Sequence, residues 1–165
     1  MGRSKKVFIT GASGFLGSFV ANDLLKNDYE VDAYVRNITK TSKVLPKEIN
    51  LIHGDLEDEA RLKSSRKKRY DVILHIGAIR SSWGIPYEKY HNANVTGTIR
   101  VLEACRKYKV KKLVYAASSS CYGIPDKYPT PENDDIRPQY PYAFTKYIGE
   151  LYVMFWHKLY NLPAI

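Results

Sequence analysis

The stretch that decides the fold is KKVFITGASGFLG, Lys5–Gly17. Its first half, KKVFIT, reads as a strand. Its second half sets Gly11, Gly14 and Gly17 three residues apart, ahead of a helical pattern in GFLGSFVANDLLKN. There Phe15 and Phe19, and Leu16, Val20 and Leu24, recur at helical spacing. Glycine at a strand-to-helix turn lets the backbone turn tightly and approach a ligand closely, and the helix start leaves N–H groups unpaired for a pyrophosphate. A tight turn that binds nothing uses the same triplet. Its place between the first strand and the first helix of a strand–helix–strand unit is what favours a dinucleotide.

Working outward, YEVDAYV reads as a second strand, followed by a polar stretch to Lys47, and INLIHGD as a third. DEARLKSSRKKR has the composition of a polar helix, YDVILHIGA of a buried strand, and Tyr87 to Tyr108 of one long helix. KKLVYAAS is the fifth strand. A loop rich in proline and acid, GIPDKYPTPENDDIRPQYP, leads to a helix from Tyr142 to Tyr160. The alternation of strand and helix predicts an α/β chain, a doubly wound parallel sheet with helices on both faces. The closing NLPAI reads as the first residues of a sixth strand, so residues 1–165 are expected to be the N-terminal part of something longer.

The composition narrows the class. A chain of 165 residues suits one domain, and 44% hydrophobic with 26% charged residues is ordinary for a globular protein. No apolar run approaches the roughly 20 residues of a membrane helix, and MGRSKKVFITG lacks the apolar centre of a signal peptide. The expectation is a cytoplasmic protein without a membrane partner. Cys105 and Cys121 form neither a disulfide framework nor a CxxC site, and His53, His75, His91 and His157 show no metal-ligand spacing. The net charge of +9 gathers in GRSKK, KSSRKKR and RKYKVKK. No nucleic-acid module accompanies it, so these runs read as solvated helix faces and ends, and no specific nucleic-acid partner is expected. A non-enzymatic nucleotide- or RNA-binding module rests on charge alone.

Two tyrosines stand four residues ahead of a lysine: Tyr108 before Lys112, and Tyr142 before Lys146. On a helix such a pair shares a face, and an ammonium beside a phenol favours the phenolate that could serve as a base. Spacing does not separate the two copies, but position does. Tyr108 and Lys112 cross from a helix end into the fifth strand. Tyr142 and Lys146 open a helix downstream of the serines that follow the fifth strand, near the carboxyl ends of the strands, where open parallel sheets bind ligands.

GxxGxxG, GDLED, LHIGA, NANVTGT, SSSCYG and PYAFTK occur in that order. The set resembles the short-chain dehydrogenase/reductase superfamily, in particular its extended branch of NAD-dependent nucleotide-sugar epimerases and dehydratases, over nearly the whole chain. The resemblance implies a Rossmann-like fold truncated near the start of its sixth strand, with the substrate-binding portion absent. It implies cofactor contacts at Gly11, Gly14, Phe15, Leu16, Gly17, Asp55, Leu56, Ile76, Gly77, Ala78, Tyr142 and Lys146, with Asn94 in a structural and cofactor-positioning role. It also implies catalysis by Ser118, Tyr142 and Lys146, with Ser119 and Ser120 toward the substrate. Where sugar dehydratases carry Asp-Glu this chain has Ser119-Ser120, which argues against dehydration.

One departure bears on the cofactor. NAD-selective members usually end the second strand with an acid, whereas here Val35 holds that position and Arg36 follows. An arginine there can pair with a 2′-phosphate or stack on adenine, so NAD and NADP both remain open. The expected activity is epimerisation of a nucleotide-sugar by reversible hydride transfer, with an NADP-dependent carbonyl reductase or alcohol dehydrogenase as the alternative. The 165-residue chain alone is expected to bind cofactor weakly and to turn over no sugar nucleotide. The apolar stripe Phe144, Ile148, Leu151 and Phe155, with Tyr147, Tyr152 and Met154 beside it, and the family's habit of pairing through this helix make a homodimer plausible.

Overall fold

A computed structural model describes residues 4–58, 60, 62, 69–80 and 84–165. The first strand, β1 (Lys6–Thr10), runs into the glycine turn and α1 (Phe15–Lys26). Next come β2 (Glu30–Val35), a short helix α2 (Ile38–Thr41), β3 (Asn50–His53) and β4 (Val72–His75). The helix α3 then joins a turn, Tyr87–Tyr90, to a π-helical stretch, His91–Thr96, and an α-helical one, Gly97–Lys107. The strand β5 (Lys112–Tyr115), a 3₁₀ turn over Ser119–Tyr122 and α4 (Pro141–Tyr160) complete the order. The polar helix expected in DEARLKSSRKKR falls largely outside the described residues.

All the strand pairings are parallel, in the order β3-β2-β1-β4-β5. A parallel bridge pairs Leu113 with Ala164, and Leu113 N–H donates to Pro163 O at 2.8 Å, so NLPAI lies along the outer edge of β5. Placed there, it extends the order to the 3-2-1-4-5-6 of a dinucleotide-binding sheet.

Strands β1 and β2 are buried on both sides, because a parallel sheet carries helices on both faces, whereas β3 at the edge is only partly covered. Successive side chains alternate between the two faces. Phe8, Tyr34, Ile73 and Leu113 pack with Val101, Leu102 and Val153 on the α3/α4 side. Ile9, Ala33 and Val35 pack with Ala21, Leu45 and Ile49 on the α1 side. The seating of α1 differs from the spacing argument. Gly17 and Ala21 are its buried residues, while Phe15 and Phe19 are 82% and 65% exposed and stack on each other, ring centroids 5.2 Å apart.

Three boundaries also differ from expectation. The polar stretch before Lys47 contains α2, started by Asn37, whose side chain accepts from Lys40 N–H at 2.8 Å. Strand β4 ends at His75, so Ile76, Gly77 and Ala78 leave the sheet. The last helix begins one residue early, at Pro141, a residue suited to the first helical position because it has no N–H to leave unpaired. It ends at Asn161 in the left-handed region, φ 52°. Among the described residues no helix is long and apolar enough to cross a membrane.

Candidate functional site

The strand-to-helix turn is held by contacts that admit no side chain. Gly11 has φ 77°, and a Cβ there would lie 2.6 Å from Gly77 N. A Cβ on Gly17 would lie 2.1 Å from Gly11 O, so the helix can seat against the turn only with glycine at that place. Gly14 N–H donates back to Gly11 O at 3.0 Å and starts α1 without a side-chain cap. The first N–H groups of α1 therefore face the cleft beyond the strand ends, a natural seat for an anion.

That cleft measures ≈ 450 Å³. Its walls include all of the cofactor-contacting residues expected from the sequence except Asn94: the glycine turn with Phe15 and Leu16, then Arg36, Asp55, Leu56, Ile76, Gly77, Ala78, Tyr142 and Lys146. The sequence reading missed Tyr34, whose hydroxyl donates to Asp55 O at 2.9 Å. A Cβ on Gly54 would lie 2.2 Å from that hydroxyl. A glycine directly before the Asp-Leu pair was the available signal.

At the far end of the cleft Val35 is buried and Arg36 is exposed. Of the two acids in β2, Glu30 opens the strand and pairs with Lys6 at 2.7 Å, while Asp32 points into the core, accepting from the Tyr70 hydroxyl at 2.5 Å and from Asn50 Nδ2 at 2.9 Å. No carboxylate therefore ends β2.

Asn94 stands behind the cleft rather than in it. Its Nδ2 donates to Ile79 O and to Thr145 Oγ1, each at 3.0 Å, while its Oδ1 accepts from Ile79 N–H at 2.7 Å. It ties the segment after β4 to the first turns of α4. The π-helical stretch that holds it is a local widening of the helix of a kind often found at functional sites.

Lys146 is 4% exposed, and its Nζ lies 3.8 Å from the centroid of the Tyr115 ring. Burial lowers its pKa to about 7, against a smaller upward pull from Glu150. Burial also pushes the Tyr115 phenol up, and its hydroxyl donates to Lys146 O at 3.1 Å. Ser118 caps the 3₁₀ turn, its Oγ 2.7 Å from Ser120 Oγ, and lines a second, more open cleft with Ser119, Ser120, Tyr128 and Tyr140. Tyr142 and Arg80 line both clefts. Tyr140, which no spacing pointed to, stacks on Tyr142 with ring centroids 6.3 Å apart.

The other tyrosine–lysine pair is not assembled. Tyr108 is the C-cap of α3, Lys109 takes φ 50°, and Lys112 begins β5, at the other end of that strand from Tyr115.

Comparison with known proteins agrees with this geometry. The model of the NAD dependent epimerase/dehydratase family matches residues 7–165. A putative UDP-glucose 4-epimerase of Methanocaldococcus jannaschii is 34% identical over 94% of the chain and 52% of its own length. The crystal structure of a Thermotoga maritima UDP-glucose 4-epimerase with UDP-glucose superposes with TM-score 0.90 at 27% identity, over 96% of this chain and 53% of that one. A Thermus thermophilus UDP-glucose 4-epimerase in complex with NAD gives 0.87 at 31%, with 96% and 53% covered. The chain thus spans about half the length of the relatives it matches.

Proposed function

The chain belongs to the NAD dependent epimerase/dehydratase family, and from that premise we propose that it is the cofactor-binding and catalytic part of a nucleotide-sugar epimerase. The observation that carries the proposal is Tyr142 on the shared wall of the two clefts. One cleft suits a dinucleotide and the other a sugar. Each cradle residue fits its part: the turn from Gly11 to Gly17 for the pyrophosphate, Asp55 and Leu56 for the adenosine, Lys146 for the nicotinamide ribose.

A dinucleotide held there would supply the hydride acceptor for a sugar carbon and the hydride donor for its return. The Tyr142 phenolate takes the proton of the sugar hydroxyl and gives it back, so the net reaction needs no outside oxidant. Ser118 Oγ holds the sugar oxygen toward Tyr142. Lys146, in its charged form, favours the Tyr142 phenolate and binds ribose oxygens. A second reading, reduction of a carbonyl with NADP, is favoured by one feature: Arg36 stands where β2 lacks a terminal carboxylate. The exposed face of α4, with Phe144, Leu151, Met154 and Phe155, supports a homodimer; sedimentation of the 165-residue chain as a monomer at micromolar concentration would remove that support.

The deciding experiment supplies UDP-glucose to the protein at the length of its relatives and follows interconversion with UDP-galactose. Epimerisation with a retained dinucleotide and no net redox change is expected. Net consumption of NADPH on a ketone or aldehyde would replace this reading with the reductase. The 165-residue chain alone is expected to bind cofactor weakly and to epimerise nothing; turnover by it would overturn that expectation.

A further inference from the structure

We propose that His75 is a positioning residue: a neutral ring, protonated on Nε2, in the middle of a buried hydrogen-bond chain that ties the phosphate-binding turn to the helix carrying Tyr142 and Lys146. The proposal rests on reading the first cleft as a dinucleotide site.

The chain can be followed atom by atom. Gly77 N–H donates to Thr10 Oγ1 at 3.1 Å, and Thr10 Oγ1 lies 2.7 Å from His75 Nδ1. His75 Nε2 lies 2.9 Å from Thr98 Oγ1, which donates to Asn94 O at 2.6 Å. Asn94 Nδ2 donates to Thr145 Oγ1, whose own hydrogen goes to Pro141 O at 2.8 Å or Tyr142 O at 3.1 Å. Thr10, His75, Thr98, Asn94 and Thr145 are each no more than 1% exposed, so bulk water does not stand in for a missing link.

Counting hydrogens over these bonds favours one form of the ring. The Thr98 hydroxyl, which also reaches the Tyr115 phenol, donates to Asn94 O, and with its hydrogen placed there His75 Nε2 is the donor of the contact between them. Nδ1 is then a bare acceptor and takes the Thr10 hydrogen, while Thr10 Oγ1 accepts from Gly77. The Nδ1–H form would take the Thr98 hydrogen away from Asn94 O and leave the Thr10 hydroxyl without this acceptor.

The placement gives the chain a use. Thr10 directly precedes Gly11 and pairs with His75 across the adjacent strands, and the far end stops on the carbonyls of Pro141 and Tyr142. An apolar side chain would fill this core position without the burden of burying two ring nitrogens. The imidazole alone reaches from β1 to α3 with an acceptor on one side and a donor on the other. A ligand that settles the turn thereby settles the first turn of α4.

Three measurements test this. Nitrogen NMR of histidine-labelled protein should place the His75 proton on Nε2 in the ligand-free state; a proton on Nδ1 overturns the chain. Calorimetry on His75→Leu should show ADP, which has no nicotinamide half to reach α4, bound within about twofold of wild type. The full dinucleotide should weaken by about tenfold. Both ligands weakened equally, or a lowered Tm with neither affected, would make His75 merely structural. Thr145→Val should show the same split, and the double variant should be no worse than either single one, because both cut one chain; additive losses overturn the coupling. If His75→Leu fails to fold, His75→Asn keeps the acceptor toward Thr10 and carries the calorimetric comparison. Failure of the wild-type protein at the length of its relatives to bind either ligand overturns the functional reading and the positioning role together, whereas a proton on Nδ1 overturns the chain alone.

Discussion

Tyr108–Lys112 and Tyr142–Lys146 have the same spacing and sit toward opposite ends of one strand, β5: Lys112 begins it, and Lys146 packs on Tyr115, which ends it. At the first, a left-handed residue at Lys109 ends the helix between the two members, and Lys112 is exposed. At the second, one unbroken helix carries both, Lys146 is buried against the Tyr115 ring, and Asn94 clamps the adjoining turn. What the difference teaches is that the seating of such a pair is decided by what packs behind it. A residue interval supplies only the opportunity.

The sharpest way to break this comparison is to remove each phenol in the protein at the length of its relatives. Tyr142→Phe should lower kcat by about 10²–10⁴-fold, and Tyr108→Phe should change it by less than about twofold. Equal losses would erase the distinction.

The lysines come next. Lys146 has a folded pKa of about 7 against an ordinary value of 10.5. Between those values the unfolded chain holds a proton that the folded chain lacks, so stability should rise as pH climbs through that window, and below it the penalty is fully present. Lys146→Met should abolish this slope and, near pH 7, stabilise the ligand-free protein by something of order 3 kcal/mol, read from denaturant melts. Lys112→Met should leave the slope in place.

Asn94→Ala removes the clamp that only the second pair has. It should destabilise by about 2 kcal/mol, because Ile79 N–H loses its buried partner. A neutral result would show that α4 is held without it. The smallest effect concerns the cofactor. Arg36→Leu should cost NADP about tenfold in affinity and NAD about twofold or less; equal losses would reduce Arg36 to an adenine-stacking group.

Much of the fold was legible because parallel strands and their crossover helices write long periodic signals. The glycine turn was legible for a different reason: Gly11 and Gly17 stand where a Cβ would collide with backbone, so the sequence has no freedom there. The π-helical stretch was not legible, since HNANVT fits an α-helix equally well. Nor was the outward stacking of Phe15 and Phe19, which follows from α1 approaching the sheet on its small residues. At the site, a spacing could nominate Tyr142 and Lys146. The contributions of Tyr34, Arg80, Tyr140 and Thr145 depend on contacts across distant parts of the chain, which no local pattern records.

The burial of Lys146 carries one more consequence, for proton traffic. A ligand that offers an oxygen to Nζ favours the ammonium over the amine. Near pH 7, where the ligand-free protein holds Lys146 partly deprotonated, dinucleotide binding should therefore draw protons from the medium. The apparent binding enthalpy should then vary with the ionisation heat of the buffer, and affinity should decline as the solution is made more alkaline. Cofactor loading of this fold is in that sense also a titration.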